Sequence, residues 1–134
     1  MKKLIYLPLI VLFVACQAQA QPGSSVLGEP NITVDQEVYD FGIIQKGAYG
    51  QCTFTITNTG SDPLIIFKCD KTCGCTVPNC SKEPIVAGGT SEVLVTYDTN
   101  RLGPFNKAVK VHTNDPDEPL KMLRIKGEVV ASAD

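Results

Sequence analysis

The sequence predicts an all-β protein, a single sandwich of about seven or eight short strands. Three observations carry this prediction. After Pro30, apolar and polar residues alternate at a period of two. Clusters of Gly, Pro, Asn, Asp and Ser interrupt the alternation every 8–12 residues or so. Beyond the N-terminus no stretch places apolar residues at the i, i+3, i+4, i+7 spacing of a helix. The 134 residues hold one domain of ordinary size, and 43% hydrophobic against 19% charged residues suits a packed core. This strand density, spread over about 100 residues, is that of an immunoglobulin-like sandwich, with a small closed barrel as the alternative.

The first segment is an address. Lys2 and Lys3 precede an uncharged run from Leu4 to Ala15, interrupted by Pro8. The run is shorter than the ~20 residues that span a bilayer, and small residues follow it, as in an export signal. Two cleavage routes fit. Ala18-Gln19-Ala20 satisfies the small-x-small rule and removes residues 1–20. Alternatively, Leu12-Phe13-Val14-Ala15-Cys16 resembles a lipoprotein box, which would remove residues 1–15 and lipidate Cys16. Phe13 stands where Leu is commoner, which favours the first route. Either route leads to the periplasm or beyond, where thiols oxidise, and only a lipid on Cys16 would tie the chain to a membrane. Removing residues 1–20 changes the net charge from −2 to −4, with 10 basic against 14 acidic residues. Such a balance gives no electrostatic basis for nucleic-acid binding. Residues 21–30, QPGSSVLGEP, have the composition of a flexible tether. Residues 31–130 form the domain, and 131–134 a tail.

Within the domain, Ile32–Val34 is the first strand, and Tyr39, Phe41 and Ile43 share one face of the next. Cys52, Phe54 and Ile56 then alternate with Thr53, Thr55 and Thr57, placing the apolar set in the core and the threonines outside. Asn58 to Pro63 is a turn. Leu64 to Phe67 is apolar on both faces and predicts a central strand or one covered by a loop. After the Gly88-Gly89 turn, Val93, Val95 and Tyr97 face inward. Phe105, Val109 and Val111 share one parity, with Lys110 and His112 on the other. The Pro-bounded turn from Thr113 to Pro119 leads to a last strand carrying Leu123, Ile125 and Val129. The expected core is Tyr39, Phe41, Cys52, Phe54, Ile56, Leu64, Ile66, Val93, Val95, Tyr97, Val109, Val111, Leu123 and Ile125.

Several landmarks recur in a familiar order: Tyr39-Asp-Phe-Gly42, Gly47, Phe54-Thr-Ile-Thr-Asn58-Thr-Gly60, Pro63-Leu64, Cys73-Gly-Cys-Thr76, Ile85, Gly88-Gly89, Phe105-Asn-Lys107, Thr113-Asn-Asp-Pro116 and Ile125-Lys-Gly127. With them the chain resembles the bacterial domain of unknown function numbered fifteen seventy-three, common in secreted proteins of Bacteroidetes. More distantly it is similar to the immunoglobulin-like modules of the ASPM, SPD-2 and Hydin group and of major sperm protein. The resemblance covers about Val38 to Val129. It implies an immunoglobulin-like fold and an exported compartment, and it supplies no established catalytic residues. Two departures stand out: Ala87-Gly88-Gly89 replaces the usual Pro-Gly, and Cys69 and Cys80 are additions to the Cys73–Cys75 pair. Gly42 and Gly60 fall at strand ends, where positive φ or a close backbone approach is needed, and Asn58 can cap its own turn.

The residues that could carry chemistry are mainly cysteines. Cys52, in phase with Phe54 and Ile56, is expected as a buried free thiol. Cys69, Cys73, Cys75 and Cys80 lie within 12 residues. Two disulfides among them would staple the loop from Cys69 to Pro84, with Cys73–Cys75 the least favoured pair because a bridge across one residue is strained. Alternatively, Cys73 and Cys75 could be soft-metal ligands for copper or zinc, although the spacing lacks the long loop of usual zinc sites. The Cys69–Cys80 cluster could also hold a redox-active pair that exchanges disulfides, its thiol pKa lowered by Lys68 and Lys71. His112 has no acidic neighbour at strand spacing and is expected to face solvent. Asn114, Asp115, Asp117 and Glu118 form an acidic turn without calcium-loop spacing. Asn31-Ile-Thr33 and Asn79-Cys-Ser81 are glycan sequons, relevant only in a eukaryotic secretory pathway. No nucleophile elbow, zinc-protease helix or phosphate loop occurs. The expectation is therefore a non-catalytic interaction or scaffolding module without a cofactor, binding a protein or glycan of the cell envelope. The alternative is a periplasmic protein that handles thiols or copper.

Overall fold

The computed structural model describes residues 28–133. The export signal, Cys16 and residues 21–27 of the tether lie outside the described residues. Eight strands follow in order: β1 (Ile32–Val34), β2 (Val38–Gln45), β3 (Gln51–Asn58), β4 (Ile66–Lys71), β5 (Thr76–Cys80), β6 (Thr90–Tyr97), β7 (Gly103–Thr113) and β8 (Leu120–Val130). They form two four-stranded sheets, β1-β3-β6-β5 and β2-β8-β7-β4. β2 runs parallel to β8 and every other pairing is antiparallel. The arrangement is the immunoglobulin-like sandwich that the alternation predicts.

The inward parity of each strand fills the space between the sheets. Phe54, Ile56, Leu64, Ile66, Val93, Val95, Val109, Val111, Leu123 and Ile125 are buried, with Cys52 and Tyr97 beside them. Each such aliphatic or aromatic side chain stabilises the fold by roughly 1.5–3 kcal/mol through burial. Tyr39 and Phe41 depart from the expected core: both are half-buried and pack against it from the side. They extend an aromatic row in which Phe41 lies 5.9 Å from Phe105, itself stacked on Tyr97 at 3.8 Å. Gly127 admits this row, because a Cβ there would come within 3.0 Å of Phe105, Phe41 and the Gly42 carbonyl.

Three further expectations are corrected. Ile43 is 75% exposed, and Ile44 packs on the core in its place. A register shift between Asp40 and Ile43 inverts the parity of β2. Gly42 takes φ +65° in that irregular stretch, and the Asp40 carboxylate accepts its N–H at 2.8 Å. Leu64 to Phe67 is neither central nor covered. β4 is a sheet edge, Phe67 is 55% exposed, and Leu64 precedes the strand, bridged to Ile85. Finally, half of the expected Cys69–Pro84 loop is strand: β4 continues to Lys71 and β5 begins at Thr76.

Buried polar groups fix the end near β1. The fully buried Asn58 side chain accepts the N–H of Gly60 at 3.0 Å and donates to the carbonyls of Asp62 (2.7 Å) and Ile85 (2.9 Å). Gly60 lies so close to the backbone of Glu29 and Pro30 that no Cβ fits. Within the acidic turn, the buried Asp115 carboxylate is fully engaged by backbone. It accepts the N–H groups of Ile32 (2.8 Å), Asp117 (2.8 Å) and Glu118 (3.1 Å). Burial pushes this carboxyl up, but those N–H groups and the Lys121 charge bring it below the ordinary carboxylate range. Lys121 in turn bridges Glu37 (2.6 Å) and Glu118 (3.2 Å).

Candidate functional site

β4 is the edge of one sheet and β5 the edge of the other, so the chain crosses between sheets in the four residues Thr72–Cys75. Cys69 sits on β4 opposite Val111, and Cys80 on β5 opposite Val93. Facing each other across the seam with Cα atoms 6.4 Å apart, they form a disulfide that joins the two sheets. The remaining pair, Cys73 and Cys75, bond to each other across the turn with Cα atoms 5.3 Å apart. The pairing least favoured from spacing is thus the one formed. The sheet edges decide it: once β4 and β5 bring Cys69 to Cys80, only the turn cysteines are left, and their separation lies within disulfide reach.

The turn is anchored at both ends and open in the middle. Thr72 donates its hydroxyl to the Ala108 carbonyl (3.2 Å), and the Cys75 carbonyl accepts the Asp98 N–H (2.8 Å). Between these anchors Gly74 has open space where a side chain would be. Cys75 is buried and Cys73 half-buried. The Cys75 N–H donates to Cys73 Sγ at 3.3 Å, and the buried Thr76 hydroxyl lies 3.8 Å from each sulfur of the pair. With the two sulfurs bonded to each other, neither is a thiolate, the form that copper or zinc binding at Cys73 and Cys75 requires. Among the described residues, no group of three or more His, Cys, Asp or Glu is placed to hold a metal ion.

Two clefts flank the Cys69–Cys80 bridge. One, of about 700 Å³, is lined by Asp70, Lys71, Thr72, Val77, Pro78 and Lys110 beside Cys69. The other, of about 300 Å³, is lined by Ile66, Lys68, Pro78, Asn79 and Lys82 with both cysteines. His112 is not without an acidic neighbour. Pairing of β4 with β7 sets Lys68 opposite it, and Asp70, two residues on, reaches its Nε2 at 2.9 Å and the Lys68 ammonium at 3.0 Å. The Lys68 hydrogen bond foremost, then that of His112, holds the Asp70 carboxyl below its usual range against some desolvation.

The backbone phase of β5 is set by the Asp98-to-Cys75 hydrogen bond. Residues 75, 77 and 79 turn their backbone groups to β6, and Pro78, which has no N–H to offer, faces the free edge. Away from the seam, Cys52 is the one free cysteine among the described residues, and burial pushes its thiol up to about 12. Lys110 was not legible as a site residue, since only the pairing of β4 with β7 brings it beside Cys69 and Asp70, whereas Asp70, Thr76 and Lys82 stand within two residues of a cysteine in the sequence. Lys68-Cys-Asp-Lys71, an alternating charged run beside a cysteine, was the available signal.

The sandwich has solved relatives. A Porphyromonas gingivalis W83 protein of unknown function aligns with TM-score 0.67 and 18% identity, over 74% of this chain and 46% of its own. A PapD-like domain of human CEP192 aligns with TM-score 0.64 and 10% identity, over 78% and 89%. The Vibrio cholerae VesB protease aligns with TM-score 0.59 and 17% identity, over 72% of this chain and 31% of its own. At these identities the likeness is one of fold. The chain spans about half of the Porphyromonas protein and about a third of the protease. No curated protein matches it. The sequence model of the DUF1573 proteins of unknown function matches residues 32–129, which contain all eight strands except Val130, so the chain belongs to that family.

Proposed function

We propose that the chain is an exported, non-catalytic interaction module of the cell envelope that grips a protein or glycan partner at the β4–β5 edge. One observation carries this reading: two adjacent sheet edges are fastened by a disulfide, with a cleft on either side. A fastened edge loses little conformational entropy when it is occupied, so more of its contact energy becomes affinity. Cysteines oxidised in this number fit a periplasmic or extracellular location, and the Lys2–Ala20 segment fits export. Contact with a membrane would come only through a lipid on Cys16.

Cross-linking on intact envelopes tests the reading. Wild type is compared with Lys71→Glu, Lys110→Glu, which reverses charge in the larger cleft without touching the core. A partner band present for wild type and at least tenfold weaker for the variant, at unchanged melting temperature, supports it. Equal capture by both removes this edge as the recognition surface. Intact mass of protein from its native host reports export: a start at Gln21 or a diacylated Cys16 supports it, and a start at Met1 rejects it.

A further inference from the structure

We propose that Cys73–Cys75 is a thiol–disulfide exchange site and that Cys69–Cys80 is the frame that holds it. This goes beyond the interaction reading and is independent of it, because it can be measured on the purified chain alone. The two bridges stand in different surroundings. Cys69 and Cys80 are each held in a β-ladder, opposite Val111 and Val93, so their backbones stay in place whether or not the sulfurs are joined. Cys73 and Gly74 belong to no ladder, and the space over Gly74 is open to an approaching group.

The sulfurs of the turn pair are also unequal. Cys73 is the accessible one and Cys75 is 3% exposed, so an incoming thiolate meets Cys73. The N–H of Cys75 already points at Cys73 Sγ at 3.3 Å, and the Thr76 hydroxyl is within 3.8 Å of both sulfurs. Donors so placed favour a thiolate over a thiol at Cys73, the condition for a reactive cysteine. Lys71, two residues before it, adds positive charge to the same edge.

The substrate class is a dithiol. One thiolate of the dithiol attacks Cys73 Sγ, forming a mixed disulfide and breaking the Cys73–Cys75 bond. Cys75 leaves as a thiolate beside the Thr76 hydroxyl and takes a proton from water. The second thiolate attacks the substrate sulfur of the mixed disulfide, and Cys73 leaves as a thiolate facing the Cys75 N–H and takes the second proton from water. The dithiol loses two electrons and two protons and becomes a disulfide. Cys73 and Cys75 gain both and become a dithiol. In reverse, reduced Cys73 attacks a substrate disulfide and Cys75 resolves the adduct.

The test equilibrates the full oxidised chain with graded ratios of reduced to oxidised dithiothreitol, followed by acid quench, alkylation and peptide mapping. Cys73–Cys75 is expected to open at a ratio at least tenfold lower than Cys69–Cys80, equivalent to about 30 mV for a two-electron couple. Opening of both bridges together, or of Cys69–Cys80 first, overturns the proposal. A second measurement mixes the oxidised wild-type chain with reduced, unfolded ribonuclease A or with 2-mercaptoethanol. A mixed disulfide mapped to Cys73 with ribonuclease assigns polypeptide thiols as substrates, and one formed with 2-mercaptoethanol alone assigns small thiols. Adducts at Cys69 or Cys80, or none with either reagent, overturn it. In the reverse direction, Cys75→Ser mixed with scrambled, disulfide-bonded ribonuclease A should accumulate a Cys73 adduct at least tenfold over reduced wild type. The Cys73 thiolate displaces one substrate sulfur, and no Cys75 is present to resolve the adduct. The two wild-type measurements decide even if that variant does not fold.

Discussion

The chain passes directly from one sheet to the other at both edges of the sandwich, and the two crossings are held by different chemistry. Asp35–Glu37 links β1 to β2. There Asp35 exchanges hydrogen bonds with Thr55, its carboxylate accepting the Thr55 N–H at 2.9 Å, and the Glu37 carbonyl accepts the Arg124 N–H at 2.8 Å. Asp115 and Lys121 clamp its flanks at Ile32 and Glu37. Thr72–Cys75 links β4 to β5, and sulfur holds it. The same geometric task is thus made sensitive to protons at one edge and to electrons at the other. One sandwich can therefore be loosened from either side by a different variable.

The strongest perturbation removes what both crossings share. Phe54→Ala should cost about 3–5 kcal/mol in denaturant unfolding, because Phe54 is fully buried between the sheets. A variant that unfolds with wild type would show that the edges, not the core, hold the sheets together. Next, Asp115→Ala should cost about 3 kcal/mol, since it leaves the Ile32 N–H and the turn amides without their acceptor. The sign with pH follows from its lowered pKa. The contribution is complete above the ordinary carboxylate range and is lost as pH falls through the lowered folded-state value. Wild type should therefore lose more stability than Asp115→Ala on acidification, and parallel pH profiles would place the acid sensitivity elsewhere.

At the other edge, Cys69→Ser with Cys80→Ser should cost about 2–3 kcal/mol by loop-closure entropy, whereas Cys73→Ser with Cys75→Ser, closing a far smaller loop, should cost about 1.5 kcal/mol. Reversal of that order in thermal melts would make the turn pair the staple. The smallest perturbation leaves both edges intact. With its thiol pushed up to about 12, native Cys52 should react with iodoacetamide at pH 8 on the order of a thousandfold more slowly than in urea. Rapid native labelling would mean the sheets part without either crossing breaking.

Sequence periodicity revealed what depends on neighbours in the chain. The inward sets of β3 and β6 and most of that of β8 follow from alternation alone, as does the buried Cys52, and the close approach at Gly60 follows from its place after a strand end. Gly42, expected at a strand end, takes its positive φ inside β2 at the register shift. Features that depend on partners far along the chain stayed hidden. β5 falls within the expected Cys69–Pro84 loop, where Pro78 and Asn79 disfavour a strand, yet at an edge the missing N–H of Pro78 costs no ladder bond. Ile43 and Ile44 exchange places because the β2 irregularity inserts a residue that periodicity does not register. Asp70 reaches His112, and Asp115 reaches Ile32, across separations of 42 and 83 residues. The cysteine pairing depends on which sheets β4 and β5 join, so spacing alone disfavoured the partner that Cys73 takes.

The position of β8 has a consequence for when the molecule can form. β8 lies between β2 and β7, with Tyr39 paired to Ile125 on one side and Val109 to Leu123 on the other. A chain delivered N-terminus first, from a ribosome or through a translocation channel, can assemble β1, β3, β6 and β5 while the second sheet still lacks its central strand. β2 has no neighbour to pair with until residues 120–130 arrive. Closure of such distant contacts is slow and comes late. The strand that completes the sheet therefore also times the fold: the second sheet cannot close before residues 120–130 are present.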